Sequence, residues 1–129
     1  MTTDGGTAAA IHARVADLIE DDDPDDVAFV ERLISSFLAR APGMLASLDD
    51  ALAAGDAALA AHWAHAIKGA AANIGADAVA EIGADAERLA DAGELPDARD
   101  HPVRLRAALA ATAPELTGVM AGLRRRRGG

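Results

Sequence analysis

His65, Lys68 and Gly69 fall within little more than one turn of a predicted helix, in the run Ala64-His65-Ala66-Ile67-Lys68-Gly69-Ala70-Ala71-Ala72-Asn73-Ile74-Gly75. They offer a nucleophile, a cation and open space. An imidazole, with a pKa near about 6.5, keeps a ring lone pair at neutral pH and can attack phosphorus without a separate base. Once phosphorylated it bears dianionic oxygens, which Lys68, one turn on, can meet as a point charge; the lysine can also help align the ring. At about 100° per residue, Lys68 lies roughly 60° to one side of His65, Gly69 about 40° to the other and Ala72 within about 20°. Gly69 and Ala72 contribute by being small, because a partner's loops must come into van der Waals contact with the imidazole for in-line attack.

On the same wheel Leu59, Trp63, Ile67, Ala70 and Ile74 cluster roughly 120° to 200° away, the side expected to enter a core, so His65 should face water. Nucleotide chemistry is not indicated: the chain has no GxxxxGK[ST] loop, and no cluster of carboxylates is expected beside His65 to hold Mg²⁺. A lone histidine on an alanine-rich helix is ordinarily a surface residue; the combination with Lys68, Gly69 and Gly75 is what sets this one apart. His62 and His65, spaced i, i+3, are weighed as metal ligands and set aside, since zinc takes three or four protein ligands and His12 and His101 fall near other helix ends. His62 is expected at the rim of the site, Trp63 in the core, and Asn73 either capping a backbone group or touching a partner.

These residues need a scaffold, and 129 residues allow one domain with a single core. Hydrophobic residues make up 51%, yet there are only two Phe, one Trp and no Tyr, so alanine-rich helices must pack closely on thin stripes of larger side chains. With no cysteine, disulfides and thiolate metal sites are excluded, and a cytoplasmic location is expected. Neither a secretory leader nor a run of about 20 apolar residues is recognisable, so membrane insertion is not expected. The net charge of −9 argues against nucleic acid and for partners with basic patches. The run Arg124-Arg125-Arg126-Arg127 is given no function.

Residues 1–9 read as a disordered lead-in. A short helix follows on Ile11, Val15, Leu18 and Ile19, closed by the acidic stretch 20–26, where Asp22, Asp23 and Pro24 suit a turn and cap. From Val27 a long stripe runs through Val30, Ile34, Phe37, Ala41, Met44, Leu48 and Ala51 or Leu52; Pro42 either kinks this helix or divides it in two, and the stripe staying in phase favours a kink. Gly55 can end that helix and Asp56 cap the next, which spans about 56–74 and stops at Gly75. Another follows over about 77–92 on Val79, Ile82, Ala86 and Leu89; its interior Gly83 costs roughly 1 kcal/mol against alanine. The last helix starts at Pro102 and carries Leu105, Leu109, Thr112, Leu116, Val119 or Met120, and Leu123, with a bend expected at Pro114. No segment alternates with period two. The expectation is an all-α domain over 10–123, an antiparallel up-and-down four-helix bundle with a short additional N-terminal helix, and a flexible basic tail over 124–129.

The chain resembles the histidine-containing phosphotransfer (HPt) domains of bacterial multistep phosphorelays from about residue 24 to 123. The pattern His-x-x-Lys-Gly-x-x-x-x-x-Gly preceded by alanine stands here as Ala64, His65, Lys68, Gly69 and Gly75, and Glu87 matches the family's later glutamate. Ala70 replaces a frequent serine, Ile67 a leucine, and Ala86 the leucine before the glutamate. The resemblance implies that a receiver-domain aspartate phosphorylates His65 and that another receiver accepts from it, with Lys68 supporting the phosphate and Gly69 leaving room. Mg²⁺ would come with the receiver, and this chain would bind no cofactor or ATP of its own. Partners are then response-regulator receivers, a hybrid sensor histidine kinase, or both. Docking is expected over Ala61, His62, Gly69 and Ala72, and the protein is expected to be a monomer. The rival reading is a non-catalytic helical module that sequesters a receiver or another signalling partner.

Overall fold

Asp23 and Pro24 show how sequence sets the first long helix. The Asp23 carboxylate accepts from the Asp25 amide at 2.8 Å, Pro24 takes the first helical position where no amide is needed, and Asp25 and Asp26 face the positive end of the dipole. The computed structural model describes residues 3–20 and 22–128, and 88% of the described residues are helical. Five α-helices are found among them: α1 Thr3–Leu18, α2 Pro24–Ala54, α3 Ala57–Asn73, α4 Asp77–Asp91 and α5 His101–Gly128, with a short 3-10 helix at Leu95–Ala98 before α5.

Helix α2 is continuous through Pro42, and each residue of its expected stripe is buried, Ile34 and Leu48 completely. It ends at Gly55, whose φ of 70° is the left-handed conformation that glycine adopts without a Cβ penalty. The Asp56 carboxylate then accepts from the Leu59 amide at 3.0 Å and starts α3. Helix α3 packs on both α2 and α4, while α5 packs on α2 and α4, so Ile34, Leu45, Leu48, Ile67, Val79, Leu105 and Leu116 share one core. Thr112, buried in α5, returns its hydroxyl to the Ala108 carbonyl at 2.7 Å and leaves no donor unmet.

The inward face of α3 differs from the one expected. Leu59 is 43% exposed and Trp63 and Ala70 are half-buried, whereas Ala60, Ala64 and Ala71 are fully buried with Ile67 and Ile74. The helix turns its alanines inward because a Cβ-only surface lets the backbones of α3 and α4 come close, and close contact gains dispersion over the whole length of the pair.

Both ends of the chain are more helical than expected. Helix α1 covers residues 3–9, read from sequence as a lead-in, because Ala8, Ala9 and Ala10 favour helix and lead into the buried Ile11 and Val15. Met1 and Thr2 lie outside the described residues, as do Asp21 of the acidic stretch and Gly129. Helix α5 carries on through Arg124–Arg127, where a flexible tail was expected. Two of those arginines pair with acids in or just before α2: Arg124 Nε is 3.8 Å from Glu31 Oε2, and Arg126 pairs with Asp22. Cations at a helix C-terminus also meet the negative end of its dipole.

Helix α1 sits across the turn between α3 and α4. Gly75 has φ 75°, and a Cβ there would lie 2.6 Å from the Ala10 carbonyl oxygen and 3.0 Å from Arg14 Cβ. The glycine is therefore required twice, by its conformation and by the chain lying on it. Arg14 secures the contact, donating from Nε to the Asn73 carbonyl at 2.9 Å and from Nη2 to its side-chain oxygen at 3.4 Å.

Candidate functional site

His65 lies mid-way along α3 with its side chain 67% exposed. Its Nδ1 is 2.8 Å from Glu87 Oε2 on α4, and the other oxygen of that carboxylate accepts from Lys68 Nζ at 2.6 Å. Glu87 thus ties together two α3 side chains that point along the same face one turn apart. The Lys68 hydrogen bond holds the Glu87 carboxyl below its ordinary range; partial burial opposes this, and the His65 hydrogen bond adds to the lowering.

That ionised carboxylate fixes the form of the ring. It can only accept, so the short contact at Nδ1 requires the proton there, and in the neutral imidazole the lone pair is then on Nε2. Nδ1 is turned toward α4, and Nε2 is the ring nitrogen left with a lone pair to attack an electrophile.

The surroundings on α3 are small or polar. Gly69 is exposed, and a Cβ added to it would meet nothing within 4 Å. Ala72 is exposed, Ala61 half-buried, and the exposed His62 sets its ring edge-on to Trp63 with centroids 5.0 Å apart and planes at 81°. From Ala57 to Ala76 the chain carries no Asp or Glu, so α3 brings only the charge of Lys68 to this face, and the carboxylate beside it, Glu87, comes from α4. Asn73 is engaged by Arg14. Among the described residues no three His, Cys, Asp or Glu side chains group to hold a metal ion. His101 belongs elsewhere: it is buried between Asp85, 2.7 Å from Nε2, and Asp100, 3.2 Å from Nδ1, and joins α4 to the start of α5.

Sequence reasoning places His65, Lys68 and Gly69 on one helix, and they stand there; the bridging role of Glu87 was not foreseen. Lys68 was expected to reach phosphate oxygens or align the ring, and here its ammonium is engaged by Glu87. The missed signal is Gly83, a glycine inside a helix one turn before Glu87, which marks a close approach of two backbones.

Among the described residues no helix is long and apolar enough to cross a membrane. The family model described as Hpt domain matches residues 32–115, which run from α2 through α3 and α4 into α5. No curated protein and no solved structure matches the chain significantly. With the exposed histidine, its lysine and its glycine all inside the matched segment, the chain belongs to the Hpt domain family, whose members pass phosphoryl groups in phosphorelay signalling.

Proposed function

We propose that this chain is a phosphoryl carrier that accepts on His65 Nε2 from a receiver-domain aspartate and passes the group to a second receiver. The observation that carries the reading is the pairing of an exposed imidazole with a carboxylate at Nδ1 alone. In the accepting step the Nε2 lone pair forms the N–P bond while the P–O bond of the aspartyl phosphate breaks and its electrons leave with the aspartate carboxylate. Nδ1 keeps its proton throughout. The ring becomes cationic as the bond forms, and the Glu87 carboxylate lies where that charge develops. Return transfer is the same path reversed. Lys68 holds Glu87 ionised and oriented, and its partly exposed ammonium adds positive potential beside the incoming oxygens.

Docking is assigned to Ala61, His62, Gly69 and Ala72, around which a receiver's loops can close without meeting bulk. The Mg²⁺ and the catalytic carboxylates belong to the receiver, and the phosphoryl donor upstream is a receiver or a hybrid sensor kinase. A cytoplasmic monomer with α2–α5 as an antiparallel up-and-down four-helix bundle suits this role. The short connections at 55–56 and 74–76 and the mutual packing of α2, α3, α4 and α5 support that arrangement. The test is incubation with a phosphorylated receiver: label stable to base and labile to acid is expected on wild type and on His62→Gln, and absent from His65→Gln. Receiver binding with no transfer of label would instead favour a sequestering module.

A further inference from the structure

Five glycines inside the helices can be compared, and one of them faces another helix's backbone. A Cβ on Gly83 of α4 would lie 3.2 Å from Lys68 N, 3.3 Å from Lys68 Cα and 3.4 Å from the Ala64 carbonyl oxygen. At Gly43, Gly69 and Gly118 it would meet nothing within 4 Å, and at Gly122 only the end of an arginine at 3.8 Å. Ala64 and Lys68 flank His65, so α4 lies close against α3 at the turn that carries the histidine. Glu87 stands four residues after Gly83, on the same face of α4. Its two oxygens reach His65 Nδ1 at 2.8 Å and Lys68 Nζ at 2.6 Å only while the helices keep that spacing.

We propose that Gly83 is a positioning residue for the phosphoryl-accepting histidine. Having no Cβ, it lets α4 rest on the α3 backbone between Ala64 and Lys68, and this separation is what allows one carboxylate to hold both His65 and Lys68. An alanine here meets backbone, which cannot rotate away, so α4 must move outward by a few tenths of an ångström. That movement lengthens two short hydrogen bonds together. The glycine read from sequence as a local cost to α4 is in this account what builds the site. The claim about transfer rests on His65 being the acceptor; the claim about the ring's proton does not.

The experiment compares Gly83→Ala and Gly83→Val with Gly43→Ala, a helical glycine with free space around it. Ring ¹⁵N shifts of His65 give the fraction protonated at Nδ1, acceptance from a phosphorylated receiver gives the rate, and circular dichroism checks folding. The Nδ1–H fraction should fall from Gly to Ala to Val, with acceptance slowed about tenfold or more in the valine variant, while Gly43→Ala changes neither. In a Glu87→Ala background, Gly83→Ala should have no further effect on either readout, which a general loss of structure would not produce. A folded Gly83→Ala protein with wild-type tautomer populations, or equal losses with and without Glu87, overturns the proposal. If the valine variant fails to fold, the alanine variant decides alone. Wild-type protein that takes up no label overturns the carrier reading instead, and the tautomer series still decides the role of Gly83.

Discussion

Glu87 lies 2.8 Å from the Nδ1 edge of His65, yet it comes from the following helix, 22 residues along the chain. The reactivity of the ring is therefore set between two helices. Replacing Glu87 by glutamine keeps the shape and removes the charge, and its amide NH₂ has no good place opposite both Lys68 and a protonated Nδ1. The Glu87→Gln protein should stay folded, show a mixed tautomer population at His65 by ¹⁵N ring shifts, and accept phosphoryl groups about ten- to a hundredfold more slowly.

The same carboxylate predicts a direction for acid stability. Glu87 titrates in the folded protein below the ordinary glutamate value of 4.5, chiefly because of the Lys68 hydrogen bond. The unfolded chain then binds that proton more readily than the folded one, so the stabilisation is complete above about 4.5 and is lost as pH falls through the lower folded value. Asp85 is shifted the same way by Arg88 and then His101, so acid sensitivity is shared. The difference between wild type and Glu87→Gln isolates the bridge: melting temperatures followed from pH 6 downward (a range of about three pH units suffices) should fall more steeply in wild type.

Gly69 and Gly75 separate two reasons for a glycine. A side chain at Gly69 meets open space, so Gly69→Arg should keep or raise the melting temperature, as helix propensity favours arginine by roughly 1 kcal/mol. The same variant should slow transfer from a receiver about tenfold or more, since the side chain stands on the face proposed for docking.

At Gly75 the outcome reverses. With φ at 75° and Ala10 O 2.6 Å from the site of a Cβ, Gly75→Ala should cost about 2–4 kcal/mol, combining a left-handed alanine with displacement of α1. Gly93 has nearly the same φ, 74°, with open space around it, so Gly93→Ala should cost only about 1 kcal/mol. Hydrogen exchange should show the added loss concentrated in α1.

Much of this was legible in the residue order, for reasons that can be named. The α2 stripe from Val30 to Leu52 is spelled mostly in large apolar side chains, and Gly55 and Asp56 are strong local signals, so α2 and the start of α3 follow closely. The α3 face was harder: hydrophobicity weights Leu59 and Trp63 above Ala60 and Ala64, but the alanines are buried because α4 presents Gly83 and comes close. The pairing of Arg124 and Arg126 with Glu31 and Asp22 joins residues far apart along the chain, which no local pattern reveals. For the same reason His65, Lys68 and Gly69 could be found by spacing on one helix, while the Glu87 bridge could not.

The most direct measurement is transfer of labelled phosphate from a phosphorylated receiver domain with Mg²⁺ to wild type, His62→Gln and His65→Gln. Base-stable, acid-labile label is expected on the first two and none on the third, with circular dichroism unchanged across all three. Label on His65→Gln at the wild-type level would mean that Nε2 of His65 is not the atom that takes the phosphoryl group.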